Sequence, residues 1–331
     1  AGPSGLLAAL EAGLTGARVI IADEQNEFGG TLLASNEKFD GQSASHWLST
    51  IEAQLSSLRN VKCLTRSTVF GYYDHNFLTI LERCTDHLGI SASSGSRQCM
   101  HRVRAKQVVL ATGAFERPLV FAHNDIPGVM QASSVSTYVN RFSVAPGNKL
   151  VLATNNDNAY RTAIDWFNAG REVVAVVDSR SSPTGELVKN VKALGIKIYH
   201  GHGVIEAKGG KRVKSAHIAP LNVDGTEVIG NVRRLACDLI ATSGGWSAAI
   251  HLSSHTGAKP IWDEEIVSFR PGDSKQQERS VGACKGTFGL HDGIVEGAIG
   301  GARAAHCAGF GDGAIKTSLP KVVQVSEQPQ Q

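Results

Sequence analysis

The chain has 331 residues, long enough for two cores, and its 33 basic side chains nearly balance its 30 acidic ones. That balance, with no basic block, gives no support to a phosphate-backbone or anionic-membrane binder, and no apolar run reaches membrane-span length. The expectation is a cytoplasmic protein with no nucleic acid and no membrane among its partners. Its 36 glycines and few aromatics suit an α/β fold with many tight strand–helix turns.

In chain order, Ala1-Gly2-Pro3-Ser4-Gly5 reads as the last five residues of a G-x-G-x-x-G dinucleotide fingerprint, whose first glycine and strand would lie upstream. Gly2 would let backbone approach a pyrophosphate. Gly5 would let helix pack on strand. The helix start offers N–H groups and a positive dipole to phosphate. Leu6 to Gly13 reads as that helix and Ala17 to Ala22 as a buried strand. The strand ends on Asp23-Glu24, where an acid takes ribose hydroxyls. Trp47, Leu48, Ile51, Leu55 and Leu58 then recur at helical spacing. Lys62 to Phe70 and Phe77 to Arg83 read as strands joined by a turn over Tyr72 to Asn76, and Lys106 to Ala111 as a buried strand entering Thr112-Gly113-Ala114.

A second βαβ unit follows Pro146, with a strand over Lys149 to Ala153, a helix over Tyr160 to Ala169 and a strand over Glu172 to Val177 that ends on Asp178. Here the glycines are gone. Thr154, Asn156 and Ala159 fill their positions, and Asp157 is expected to repel phosphate, so this unit keeps the fold and loses its nucleotide. Asp238 to Thr242 is its return strand, and Arg279 to Gly286 closes the first unit ahead of a helix over Ile294 to Ala305. In FAD enzymes of this architecture an aspartate at that closure holds a ribityl hydroxyl. Gly282-Ala283-Cys284-Lys285-Gly286 has none before Asp292, which favours NAD, lacking a ribityl chain, over FAD in the first site. The fold class expected is α/β, with two Rossmann-like dinucleotide-binding domains of glutathione-reductase type, the second inserted in the first. The domain bounds are 1–140, 141–250, 251–312 for the return, and 313–331 as a linker or frayed tail.

Several blocks together resemble the alpha-subunit family of heterotetrameric sarcosine oxidases. They are Ala1 to Gly5, Asp23-Glu24, Phe28 to Thr31, Phe70 to Asp74, Val108 to Pro118, Asn124 to Gly128, Asn156 to Tyr160, Ser243 to Trp246, His251-Leu252 and Trp262-Asp263. The resemblance implies an oxidative demethylase that turns sarcosine and oxygen into glycine and hydrogen peroxide and passes the one-carbon unit to tetrahydrofolate. It implies beta, gamma and delta subunits as partners, with FAD on the beta subunit and FMN at the alpha–beta interface, joined covalently to a beta-subunit histidine. NAD would sit in the first fold of this chain, with FAD possible in its place; the alternative function is an FAD-dependent NAD(P)-type oxidoreductase or amine dehydrogenase subunit of the same fold. Matched by motif, Ser4, Asp23, Glu24, Gln25 and Thr31 would contact it, alongside Gly2, Gly5 and Gly30. Backbone at Val69 would meet the adenine, Thr112 and Gly113 would line the site, and Ala283, Phe288 and Leu290 would stand near the nicotinamide half. Gln25 replaces a basic residue of that family. A ferredoxin-like domain would precede residue 1 and a folate-binding domain would follow residue 331.

No catalytic set is expected in this chain, which offers neither a nucleophile–base–acid combination nor paired carboxylates. No metal is expected either, because cysteines 63, 84, 99, 237, 284 and 307 form no C-x-x-C and no metal spacing. The pairs His200/His202 and His251/His255 read as packing or surface, Cys284 as buried and inert, and Lys208 to Lys214 as a solvated hairpin turn. Glu116-Arg117 reads equally as an interface ion pair and as a loop salt bridge.

Overall fold

The computed structural model describes residues 1–91 and 95–323. Its helices are α1 (Pro3–Leu14), α2 (Ala44–Ser57), α3 (Ala132–Phe142), α4 (Tyr160–Asn168), α5 (Glu186–Ala193), α6 (His251–His255) and α7 (Leu290–Cys307). The chain divides into two compact units. One comprises Ala1–Ala114, Ala248–Asp263 and the described residues from Ser268 to Val323; the other comprises Phe115–Ser247 and Glu264–Val267.

In the first unit, Val19–Ala22 pairs in parallel with Val61–Leu64, and Val108–Leu110 pairs in parallel with Glu278–Ser280. A three-stranded antiparallel sheet of Ser67–Tyr73, Phe77–Arg83 and Gln98–Arg104 stands beside them. The core gathers Leu6, Leu7 and Leu10 of α1, Trp47, Leu48, Ile51 and Leu55 of α2, and Ile294 and Ala298 of α7. The helical spacing around Trp47 therefore marks core.

Helices α1 and α7 pack almost backbone to backbone. A Cβ on Gly297 would overlap the backbone of Ser4, and one on Gly301 the backbone of Ala8. Neither neighbour can rotate away, since both are helix backbone. Gly301→Ala is thus expected to destabilise the chain by about 1–3 kcal/mol through overpacking, read as a lower urea midpoint at unchanged m-value.

The tail expectation needs correction. Ile315, Leu319 and Val322 pack on this core, and Lys321 exchanges backbone and side-chain hydrogen bonds with Asp40. The physical cause lies in α1. Glu11 is fully buried, and its carboxylate accepts from the Lys316 N–H at 2.7 Å and the Thr317 N–H at 2.9 Å, so the segment after α7 docks to satisfy a buried charge. The final residues of the expected tail, 324–331, lie outside the described residues.

The second unit holds a five-stranded parallel sheet in the order Val129–Gln131, Leu239–Ser243, Lys149–Thr154, Glu172–Asp178, Ile198–His200. Its central strands Leu239–Ser243 and Lys149–Thr154 are buried at every position but Lys149, as a sheet covered on both faces requires. Helices α3, α4 and α5 cover one face through Val135, Tyr160, Ala163, Trp166, Leu187 and Val191. The antiparallel strands His202–Gly209, Val213–Pro220 and Arg233–Ala236 contribute Val204, Ala207, Ala216 and Ile218 to the core cluster on Val151, Val177 and Ile240. The boundary expected at 141 lies instead at 114/115. The cause is Val129–Gln131, which pairs with Leu239–Ser243 and so brings α3 into the second core.

Candidate functional site

In the first unit Gly2, Ser4 and Gly5 stand at the start of α1, with Gly30 against Gly2 and Asp23 at the end of the strand Val19–Ala22. Gly2 is the N-cap, extended at φ −73° and ψ −173°, without a side-chain cap and with no acid in the first turn. The first-turn N–H groups and the positive end of the dipole are left for a ligand. A Cβ on Gly2 would meet Gly30 Cα at 3.9 Å, and among the described residues nothing else comes within 4 Å of it. Gly30 itself sits at φ +55° against Gly2, in the left-handed region that suits glycine. Gly5 does the packing work: its Cβ position lies 3.1 Å from Ala111 Cβ, where α1 crosses the strand end.

Asp23 follows the strand Val19–Ala22 and lies beside Ala1. Its Oδ1 accepts from the Gln25 N–H at 2.9 Å, an Asx turn that fixes the acid beside the start of α1. Glu24 and Gln25 are exposed, and the Glu24 carbonyl is held by Arg83 at 2.9 Å. Between the two acids, Asp23 is therefore the one beside the loop. The Asp23 carbonyl accepts from the Ser67 N–H at 2.7 Å, which brings the strand carrying half-buried Val69 alongside.

Ser4 is buried, with its hydroxyl against Gly282 and Gly293. Thr112 donates its hydroxyl to the Ala249 carbonyl at 2.7 Å, and Gly113, at φ +78°, has open space where a Cβ would be. Ala283 is half-buried in the 3-10 turn Gly282–Lys285 and Thr31 is exposed. Phe288 is exposed just before α7, and Leu290 opens that helix packed on the core. No sequence signal marked Glu296, whose carboxylate accepts from the Gly282 N–H at 2.9 Å and from Lys285 Nζ at 3.0 Å. Cys284 is buried, and burial pushes its thiol up, so it presents no ready thiolate.

The equivalent place in the second unit is filled by the chain itself. Asn156 donates to the Ser243 carbonyl at 3.2 Å, and its Oδ1 accepts from the Ala159 N–H at 3.2 Å, taking the amide at the start of α4. Asp157 and Asp178 are fully buried, with Arg180 between them. Its guanidinium reaches Asp157 at 2.8 Å and Asp178 at 2.7 Å. Tyr160 donates its hydroxyl to Asp178 at 2.7 Å. Burial pulls the guanidinium down, yet the two carboxylates hold it above its ordinary value; burial and Asp178 together push the Tyr160 phenol up. Sequence spacing gave Asp157 the role of repelling phosphate. The structure corrects that: its charge is neutralised by Arg180, and the two act as a plug.

Glu116 and Arg117 are engaged separately. Glu116 accepts from the Ser133 N–H at 2.9 Å and hydroxyl at 2.6 Å, while Arg117 donates to the carbonyls of Gly244 and Val267. His202 Nδ1 lies 2.7 Å from the His200 carbonyl across the turn at Gly201.

Residues 1–268 match the pyridine nucleotide-disulphide oxidoreductase family. The chain belongs to this oxidoreductase family. It is 38% identical over 312 residues to the sarcosine oxidase subunit alpha of Corynebacterium sp. (strain P-1), covering 94% of this chain and 32% of the relative. It is 40% identical to the sarcosine oxidase subunit alpha of Rhizobium meliloti (strain 1021), covering 90% of this chain and 29% of the relative. The chain thus spans about a third of the length of these curated relatives. Among solved structures, Lactococcus lactis thioredoxin reductase superposes with a TM-score of 0.69 at 17% identity, over 92% of this chain and 96% of that one. The fold class is thereby the α/β, Rossmann-like architecture of nucleotide-binding oxidoreductases. Among the described residues no helix is long and apolar enough to cross a membrane.

Proposed function

We propose that this chain is the dinucleotide-binding part of an alpha subunit in an amine-oxidising enzyme of the sarcosine oxidase type, with NAD in the first fold. The single observation that carries the reading is the plug of Asp157, Asp178, Arg180 and Tyr160 in the second fold, set against the open glycines Gly2 and Gly113 of the first. A chain so built takes one dinucleotide and receives no hydride from NAD(P)H at its second fold. Substrate oxidation then belongs to partner beta, gamma and delta subunits, with FAD and interface FMN, and with sarcosine and tetrahydrofolate as the reactants. The location is cytoplasmic.

NAD rather than FAD follows from the closing turn, where Gly282-Ala283-Cys284-Lys285-Gly286 offers no carboxylate for a ribityl chain. The residues that hold NAD are Gly2, Ser4, Gly5, Asp23, Glu24, Gln25, Gly30, Thr31, Val69, Thr112, Gly113, Ala283, Phe288 and Leu290. The α1 start binds the pyrophosphate and Asp23 the ribose hydroxyls. When bound, NAD supplies a nicotinamide ring and a diphosphate that orders the loops around it; Gly113 and Ala283 leave room for the ring.

Cofactor released from the purified protein is expected to absorb in the ultraviolet alone, at one equivalent per chain. A visible flavin spectrum would assign FAD to the first fold, and two equivalents would refute the plug. Asp23→Asn is expected to weaken adenosine-half binding by about 1–3 kcal/mol in a calorimetric titration, through loss of a charged acceptor. Unchanged affinity would remove Asp23 from the site.

A further inference from the structure

Three side chains of metal-ligating type share one face of the antiparallel ribbon Phe77–Arg83 and Gln98–Arg104. Glu82 and Cys99 are direct cross-strand partners, and His101 lies two residues beyond Cys99, hence on the same face. All three are half-buried, and their ligand atoms lie within 4.8 Å of one another. His101 Nε2 is 2.6 Å from Glu82 Oε2. A second thiol, Cys84, stands one step past the strand end, its Sγ 3.8 Å from the Glu82 carbonyl. None of these residues is among those proposed to hold the dinucleotide.

Thiolate, imidazole and carboxylate together form the donor set of a borderline-soft divalent ion, and zinc takes three such ligands with an open fourth position. Ligand atoms of a tetrahedral zinc stand roughly 3.3–3.8 Å apart, so rotamer adjustments of about 1 Å would close the set. We propose that Glu82, Cys99 and His101 form a zinc-class metal site that clips the base of this ribbon. Binding releases the Cys99 thiol proton to solvent and leaves His101 neutral. The ion joins two strands separated by the connection from Cys84 to Arg97, and closing a loop in this way favours the folded state. Arg83, adjacent to Glu82, holds the Glu24 carbonyl, so the clip also steadies the acidic loop.

Cobalt(II) titration of the untagged, chelator-stripped chain tests this. A thiolate-to-cobalt charge-transfer band should saturate at one equivalent and be displaced by zinc. Cys99→Ser should abolish the band, and His101→Gln should weaken cobalt binding at least about tenfold. Cys63→Ser, at an exposed thiol elsewhere, should behave as the parent chain. Absence of a thiolate band in the parent chain at saturating cobalt overturns the proposal, as does an unchanged titration in Cys99→Ser. If Cys99→Ser does not fold, an unchanged titration in His101→Gln overturns it equally.

Discussion

Replacing Arg180 with methionine is expected to destabilise the second unit by about 3–5 kcal/mol, the cost of breaking a buried ion pair from one side. Asp157 and Asp178 have no exposed surface, and Arg180 is 6% exposed. Methionine fills the volume and removes the charge, leaving two carboxylates in a low-dielectric interior. Tyr160 still donates to Asp178, and the Arg180 backbone N–H still reaches its Oδ1 at 2.9 Å, but Asp157 loses its ionic partner. Urea unfolding followed by tryptophan fluorescence reads the effect, because Trp166 is fully buried in this unit. Adding Asp157→Asn and Asp178→Asn to the same variant should restore much of the loss, since the unpaired charges are then gone. A loss below about 1 kcal/mol would mean that water reaches the carboxylates, and the second fold would then have room for a ligand.

Gly2→Val is expected to weaken dinucleotide binding at least about 100-fold, close to 3 kcal/mol, while leaving the chain folded. The two halves of that statement have separate causes. Valine tolerates the extended backbone of this N-cap, and its Cβ would make ordinary contact with Gly30 Cα at 3.9 Å. Its methyl groups would then occupy the space through which a pyrophosphate approaches the first turn of α1. Equilibrium dialysis with NAD reads affinity, and circular dichroism confirms the fold. Full retention of nucleotide by the folded variant would place the diphosphate elsewhere.

The two folds read differently from sequence for a physical reason. The first follows from local rules: glycines before a helix, an acid after a strand, small residues along α7 where Gly297 and Gly301 meet α1. In the second, Thr154, Asn156 and Ala159 in place of glycines led to the expectation of no nucleotide there, but not to which side chains stand around the loop. Arg180 lies beyond the loop that contains Asp157, and only strand pairing between Lys149–Thr154 and Glu172–Asp178 brings them together. The boundary at 114/115 was hidden in the same way, since a three-residue strand such as Val129–Gln131 has too short a pattern to declare its partner. The Glu82–Cys99–His101 cluster was missed because its ligands face one another across strands, where spacing along the chain carries no metal signature.

By itself the sequence determined the βαβ elements that open each fold, the two Rossmann-like folds and the glycine-free second loop, because each rests on residues close together along the chain. The tertiary structure alone decided which acid meets the first loop, how the tail pays its way against Glu11, and what fills the second fold. Those outcomes depend on burying charges beside partners far away in sequence, and only a packed interior fixes which partner each charge finds.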